Sequence, residues 1–145
     1  MEATLTLTEG EYDAALRLAK RGLSEFNAPF TGDPRPLTLT VTATRPGEAE
    51  PAGALVGLCA YGWLYLHMFF LPEDMRGGGL GARMVRQMEE AARAHGCVGA
   101  WVDSYSFQAP GFYERQGYAR FGEITGFPPD HSRVFLMKRL DAEHA

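Results

Sequence analysis

Apolar and polar positions follow two different periods along this chain. Tyr12, Ala15, Leu16, Ala19, Leu23 and Phe26 recur three or four residues apart, the spacing of one helix face. Thr8-Glu9-Gly10-Glu11 stands before them with a capping threonine and an acid three residues on, which predicts a helix start. Asn27 to Pro36 is a Pro/Gly loop, and Leu37, Leu39, Val41 and Ala43 then alternate with threonines as in a half-buried strand. Arg45 to Gly53 (RPGEAEPAG) reads as a hairpin-type turn. Two further runs, Ala54–Ala60 and Leu64–Leu71, flank a turn at Tyr61-Gly62-Trp63. Each run is apolar on both faces, as in central strands covered by helices.

The second half returns to the helical period. Leu80, Met84, Met88, Ala91, Ala92 and His95 share one face of a helix that Gly96 stops. Gly99 to Tyr105 is the next strand, Ala109 to Gln116 a short helix ended by Gly117, and Tyr118–Thr125 and Arg133–Leu140 are two more strands joined by the loop Gly126–Ser132. The tail DAEHA is expected to fray. The order is helix, three strands, helix, strand, helix, two strands. It predicts an α/β (α+β) domain with a single mixed, largely antiparallel sheet and helices on its faces.

Composition narrows the class. A chain of 145 residues, 46% hydrophobic and 22% charged, matches one soluble domain with no second domain or repeat. A net charge of −4 argues against non-specific nucleic-acid binding, which relies on a basic surface. Cys59 and Cys97 have neither CxxC spacing nor an acid or histidine partner readable from sequence, so a zinc site, a disulfide framework and a cysteine nucleophile are all unsupported. The start MEATLTLTEGEYD lacks the basic and apolar regions of a secretory signal, and a cytoplasmic place is expected. Pro51 to Pro72 contains no Asp, Glu, Lys or Arg, but its glycines, His67 and strand-forming residues argue against a membrane helix.

The strongest chemical signal is Met75-Arg76-Gly77-Gly78-Gly79-Leu80-Gly81, where a strand runs into glycines that open a helix. Such a turn exposes backbone N–H groups and the positive end of a helix dipole, and glycine lets a phosphate approach closely. A P-loop fails, because no Gly-Lys-Ser/Thr follows. A dinucleotide fingerprint can be laid on Gly77, Gly79 and Ala82 with Asp103 as its ribose acid, but Pro72 to Arg76 separates it from its strand and too little chain remains for a second domain. The third pattern, R/Q-x-x-G-x-G/A on Arg76, Gly79 and Gly81, resembles the pyrophosphate loop of the GNAT superfamily of acetyl-CoA-dependent N-acetyltransferases. Gly78 stands where many members carry glutamine. A second block, Ala109-Pro110-Gly111-Phe112-Tyr113-Glu114-Arg115-Gln116-Gly117-Tyr118, is similar to that family's A-x-x-F-Y-x-x-x-G-F/Y segment. The resemblance covers roughly residues 53–140, with residues 1–50 as a less diagnostic acceptor side of the same single domain (1–145).

The resemblance implies a GNAT fold with splayed central strands, here Leu64–Leu71 and Gly99–Tyr105. It implies acetyl-CoA as co-substrate, without a metal, held by the backbone near Phe69, Phe70 and Leu71 and by Arg76, Gly77, Gly78, Gly79, Leu80, Gly81 and Ala82. Tyr113 falls at the position of the general acid, and Arg115 could meet the 3′-phosphate. His67 and Asp103 are candidates for the base or for orienting the amine, and a water is a further candidate. His67, Asp103, Glu123 and His131 are candidates for a polar, partly acidic acceptor pocket suited to a cationic amine, and Tyr65 and Tyr105 are candidates for the lining of its cleft. The acceptor is expected to be a small-molecule amine rather than a protein, and a homodimer is compatible. A GNAT fold that binds acyl-CoA as a sensor without turnover is the alternative reading, and an NAD(P)-binding protein a remote one.

Overall fold

A computed structural model describes residues 1–141, so the expectation for DAEHA falls, after Asp141, outside the described residues. The chain divides into two compact units, Met1–Asp33 and Pro34–Ala145. The first holds one helix, α1 (Asp13–Thr31), with Tyr12 as its N-cap and no side-chain capping bond. The predicted capping box at Thr8 and Glu11 is therefore not formed. Gly10 between them has φ +91°, which takes the backbone off the helical path. The predicted loop also starts too early, because Asn27 to Thr31 is helical. Pro29 sits in the last turn; there the Thr31 hydroxyl donates to Asn27 O (3.1 Å) and Gly32 N–H to Ala28 O (2.9 Å). Gly32, at φ +65°, ends the helix.

The second unit is built on a six-stranded sheet: β1 (Leu37–Ala43), β2 (Gly53–Ala60), β3 (Trp63–Phe70), β4 (Gly99–Tyr105), β5 (Ala119–Thr125) and β6 (Ser132–Arg139). Its order is β1-β2-β3-β4-β6-β5. Only β3 and β4 run parallel, and the other neighbours are antiparallel. A parallel pair needs a long crossover, which α2 (Leu80–Ala94) supplies, while α3 (Pro110–Arg115) joins β4 to β5. Trp63 belongs to β3 rather than to the turn. The β2–β3 connection is Tyr61-Gly62 alone, with both residues at positive φ (+53° and +77°) as a tight two-residue hairpin requires.

Val85, Met88 and Ala92 of α2 are wholly buried against Leu55, Leu64, Ala100 and Leu136 of the sheet. Gly57 permits that approach, since a Cβ there would lie 2.7 Å from the Met88 sulfur. The chargeless stretch Pro51–Pro72 is thus the β2–β3 hairpin, and no helix among the described residues is long and apolar enough to cross a membrane.

One irregularity shapes the middle of the sheet. Val56 opposes Met68 and Gly57 opposes Leu66, which leaves His67 as the extra residue of a bulge in β3. Bulges bend a strand and raise its twist. At this point β3 and β4 part, since their pairing runs only from Trp63↔Gly99 to Leu66↔Val102. β4 stays paired with β6 as far as Tyr105↔Arg133. The splayed pair expected from the sequence is present, and its gap runs between His67–Phe70 and Asp103–Tyr105.

Candidate active site

The bulge also exchanges the faces of β3. Leu64 and Leu66 are buried under α2, and beyond the bulge Phe69 and Leu71 pack on that same core. Tyr65 and Trp101 stack on the other face with ring centroids 4.1 Å apart. The gap therefore joins a helix-covered face to an aromatic and charged one.

On the helix face, Pro72 leads into a 3-10 turn (Glu73–Met75), then Arg76 and the glycines. Gly77 and Gly79 have φ of +85° and +82°, values that disfavour any side chain. A Cβ on Gly77, Gly78 or Gly79 would meet nothing within 4 Å, so the space before the turn is open. The first helical bond of α2 runs from Arg83 N–H to Gly79 O (3.1 Å), and Gly79 provides no side-chain cap. The N–H groups of Leu80, Gly81 and Ala82 precede that bond and face the open end. This donor set fits a diphosphate. Gly81 is also tight against its neighbours, as a Cβ there would lie 3.3 Å from the Phe112 ring.

Two arginines fix the turn. Arg45 grips Asp74 with both nitrogens (3.0 and 2.8 Å), which holds the Asp74 carboxyl below its usual range. Arg76 donates from Nε to Leu71 O (2.8 Å). One lone pair of the Leu71 carbonyl is thereby engaged within the turn, and the second lone pair and the N–H stay available. Phe69 meets Phe112 edge-on (5.9 Å) on the helix face, whereas Phe70 is exposed.

In α3, Tyr113 follows Phe112, whose ring lies against Gly81 of this turn. It is 8% exposed, and its ring meets Phe112 (5.1 Å) and Tyr118 (6.0 Å) edge-on. Burial first, and the Asp103 charge second, push its phenol up to about 12. Its hydroxyl donates to no acceptor among the described residues and is not among the sealed, unpartnered polar atoms. Arg115, two residues on, is exposed. Burial pushes the Cys59 thiol up to about 12, next to Cys97, which suits a core thiol and not a nucleophile.

Across the gap stands a cluster that the sequence reading assembled only in part. Tyr65 donates to Asp103 Oδ2 (2.8 Å), and Arg133 Nη2 meets the same oxygen at 2.8 Å. Burial, then the Asp103 carboxylate, raise Tyr65 to about 12. His67 is exposed at the bulge with its ring 5.4 Å from Tyr65. Tyr105 stacks on Phe107 (5.5 Å), whose edge meets His131 (4.8 Å). Glu123 sits on the edge strand β5 and accepts from the Ser132 hydroxyl (2.9 Å). Asp103 thus shares its Oδ2 between Tyr65 and Arg133, while Glu123 is engaged with Ser132. Arg133 is the residue that sequence reasoning missed, since alternation along a strand gave it no mark. Glu89 is another. It is 2% exposed in α2 and takes the Tyr118 hydroxyl (2.7 Å) and Lys138 Nζ (3.1 Å). No group of acids, histidines and cysteines among the described residues is arranged to hold a metal.

Comparison with known proteins agrees with this geometry. The model of the acetyltransferase (GNAT) family matches residues 7–118. Blasticidin-S acetyltransferase of Streptomyces morookaense is 38% identical over 107 residues, 73% of this chain and 79% of that protein. An acetyltransferase of Agrobacterium fabrum is 34% identical over 136 residues, 92% of this chain and 95% of its own length. The crystal structure of an acetyltransferase-type protein from Agrobacterium tumefaciens superposes with a TM-score of 0.83 at 31% identity, over 94% of this chain and 99% of that one.

Proposed function

Because this chain belongs to the GNAT family of acetyltransferases, we propose that it moves an acetyl group from acetyl-CoA to the amine of a small molecule across the gap between β3 and β4. The observation that carries this reading is a pair of features joined through Phe112: an open glycine turn with free N–H groups, and a buried tyrosine whose hydroxyl has no protein partner among the described residues. When bound, acetyl-CoA supplies a thioester whose C–S bond breaks as the amine nitrogen forms the C–N bond, with one proton leaving nitrogen and one reaching sulfur. The amides of residues 77–82 hold the diphosphate. The N–H groups of β3 freed by the splay orient the acyl arm and polarise its carbonyl. Tyr113, protonated at neutral pH, delivers its proton to the departing sulfur. On the opposite face His67 or the free oxygen of Asp103, directly or through water, takes the proton from nitrogen. Arg115, exposed at the end of α3, is the cation assigned to a phosphate at the adenosine end. A relative named for an antibiotic acceptor supports a small-molecule amine over a protein.

The test pairs acetyl-CoA binding with free-thiol release across a panel of amines. Stabilisation by acetyl-CoA together with amine-dependent thiol release is expected. Stabilisation without release from any amine would make the protein a sensor, and no stabilisation would remove the assignment.

A further inference from the structure

The charge pair facing the gap is only half used by the protein. Asp103 engages Tyr65 and Arg133 through Oδ2 alone, and Oδ1 accepts no bond among the described residues. Arg133 spends Nη2 on Asp103. Among the described residues its Nε is buried without a partner and Nη1 has no acceptor. The guanidinium is nevertheless held in place by three rings, Phe127 at 5.0 Å, Phe135 at 5.4 Å and Tyr105 at 5.7 Å. The Arg133 side chain is 26% exposed and that of Asp103 14%, so the pair is neither sealed in nor lost to solvent. Neutralising Asp103 would need only a cation. A planar fork clamped by three rings before any ligand arrives is a pre-ordered receptor for a carboxylate.

We propose that Arg133 and Asp103 select the acceptor, and that it is an α-amino acid, or a larger molecule presenting an α-amino acid group, with its carboxylate on Arg133 and its amine on Asp103 Oδ1. The inference rests on the acetyltransferase reading. The argument is one of charge and distance. The two side chains touch at 2.8 Å, so the positive and the negative subsite are adjacent. A zwitterion with amine and carboxylate on one carbon complements both and leaves the site neutral. A polycationic amine gains from Asp103 but is repelled by Arg133, and unmatched charge of that kind is how sites reject competitors. Exposed Phe107 and Phe127 lie beside the pair and give an apolar shelf that favours aromatic or branched side chains.

The experiment compares α-amino acids (phenylalanine, tryptophan, leucine, alanine) with their α-carboxamides and with simple alkyl amines, at saturating acetyl-CoA. The wild type is expected to prefer the acid over the amide by about tenfold or more in kcat/KM, mainly through KM. R133Q should raise KM for the acid by roughly tenfold and erase the preference, with acetyl-CoA affinity unchanged. R133K keeps the charge but not the fork, and serves if R133Q loses the fold; it should raise the same KM several-fold. Equal or better turnover of amides or alkyl amines by the wild type, or a preference that survives in both variants, overturns the proposal while leaving the transferase reading intact. No thiol release from any amine also overturns it, and acetyl-CoA stabilisation in the same samples then reports on the transferase site separately.

Discussion

Tyr113 suits an acid role because its ring is buried while its hydroxyl is not bonded away. Tyr113→Phe should lower kcat by about a hundredfold, the lower end for a lost general acid, and leave acetyl-CoA affinity unchanged. Unchanged turnover would exclude the role. Its pH behaviour follows from the shift to about 12. Burial favours the neutral phenol, so the proton stays on through pH 10 and kcat/KM should show no falling limb below that point. The same shift has a stability consequence. Tyr65 and Tyr113 are both raised to about 12 in the folded chain, against about 10 unfolded. Their contribution is complete below pH 10 and lost as pH climbs to 12. Denaturant titrations at pH 8 and pH 11 should show a lower midpoint at the higher pH. Tyr113 was legible in sequence because a local motif carries it. Arg133 was not, because its meaning comes from rings contributed by β4, β6 and the loop between β5 and β6, which no local pattern connects.

At the scale of elements, the glycine turn separates residues required for backbone shape from one that is not. Gly79→Ala forces a side chain into φ +82°, at a cost of about 1 kcal/mol or more, and tilts the donor N–H groups. Acetyl-CoA affinity should fall roughly tenfold, as measured by calorimetric titration. Gly78 has ordinary φ and open space, and every residue retains the N–H donor. Gly78→Gln should stay within about twofold of wild type. Equal losses in both variants would show that side-chain bulk, not backbone geometry, governs the turn. The turn was readable because glycines spaced this way have few other uses. The bulge at His67 was not. Leu64–Leu71 is apolar on both faces, so an extra residue breaks no visible period, and only the cross-strand register exposes it. The end of α1 was missed for the opposite reason, since Pro29 reads as a break, yet the helix continues two residues past it to Thr31 without the N–H bond that proline lacks.

Over the whole second unit, the site depends on α2 holding a fixed place over the sheet, because its first turn carries the glycines and β3 and β4 no longer pair beside it. The order of helical and strand periods was enough to foresee a mixed sheet with one crossover helix. It could not show how that helix is anchored, since Glu89 reads as one more charge on an amphipathic surface. Buried as it is, Glu89 joins α2 to β6 through Lys138 and to the start of β5 through Tyr118, and Lys138 adds a bond to Gln116 O (2.9 Å). Burial and the Glu89 charge raise the Tyr118 phenol further, so it remains a donor throughout. Removing one member of a buried ion pair strands the other. Glu89→Leu should therefore cost about 3 kcal/mol and lower Tm by roughly 8 °C for a chain of this size. Replacing both charges by apolar groups of similar volume is close to neutral in comparable sites. The double variant Glu89→Leu/Lys138→Met should accordingly recover most of that loss in thermal melts. A double variant no more stable than Glu89→Leu would mean that the carboxylate serves mainly Tyr118 and the backbone near Gln116, and that the charge pair does not set the position of α2.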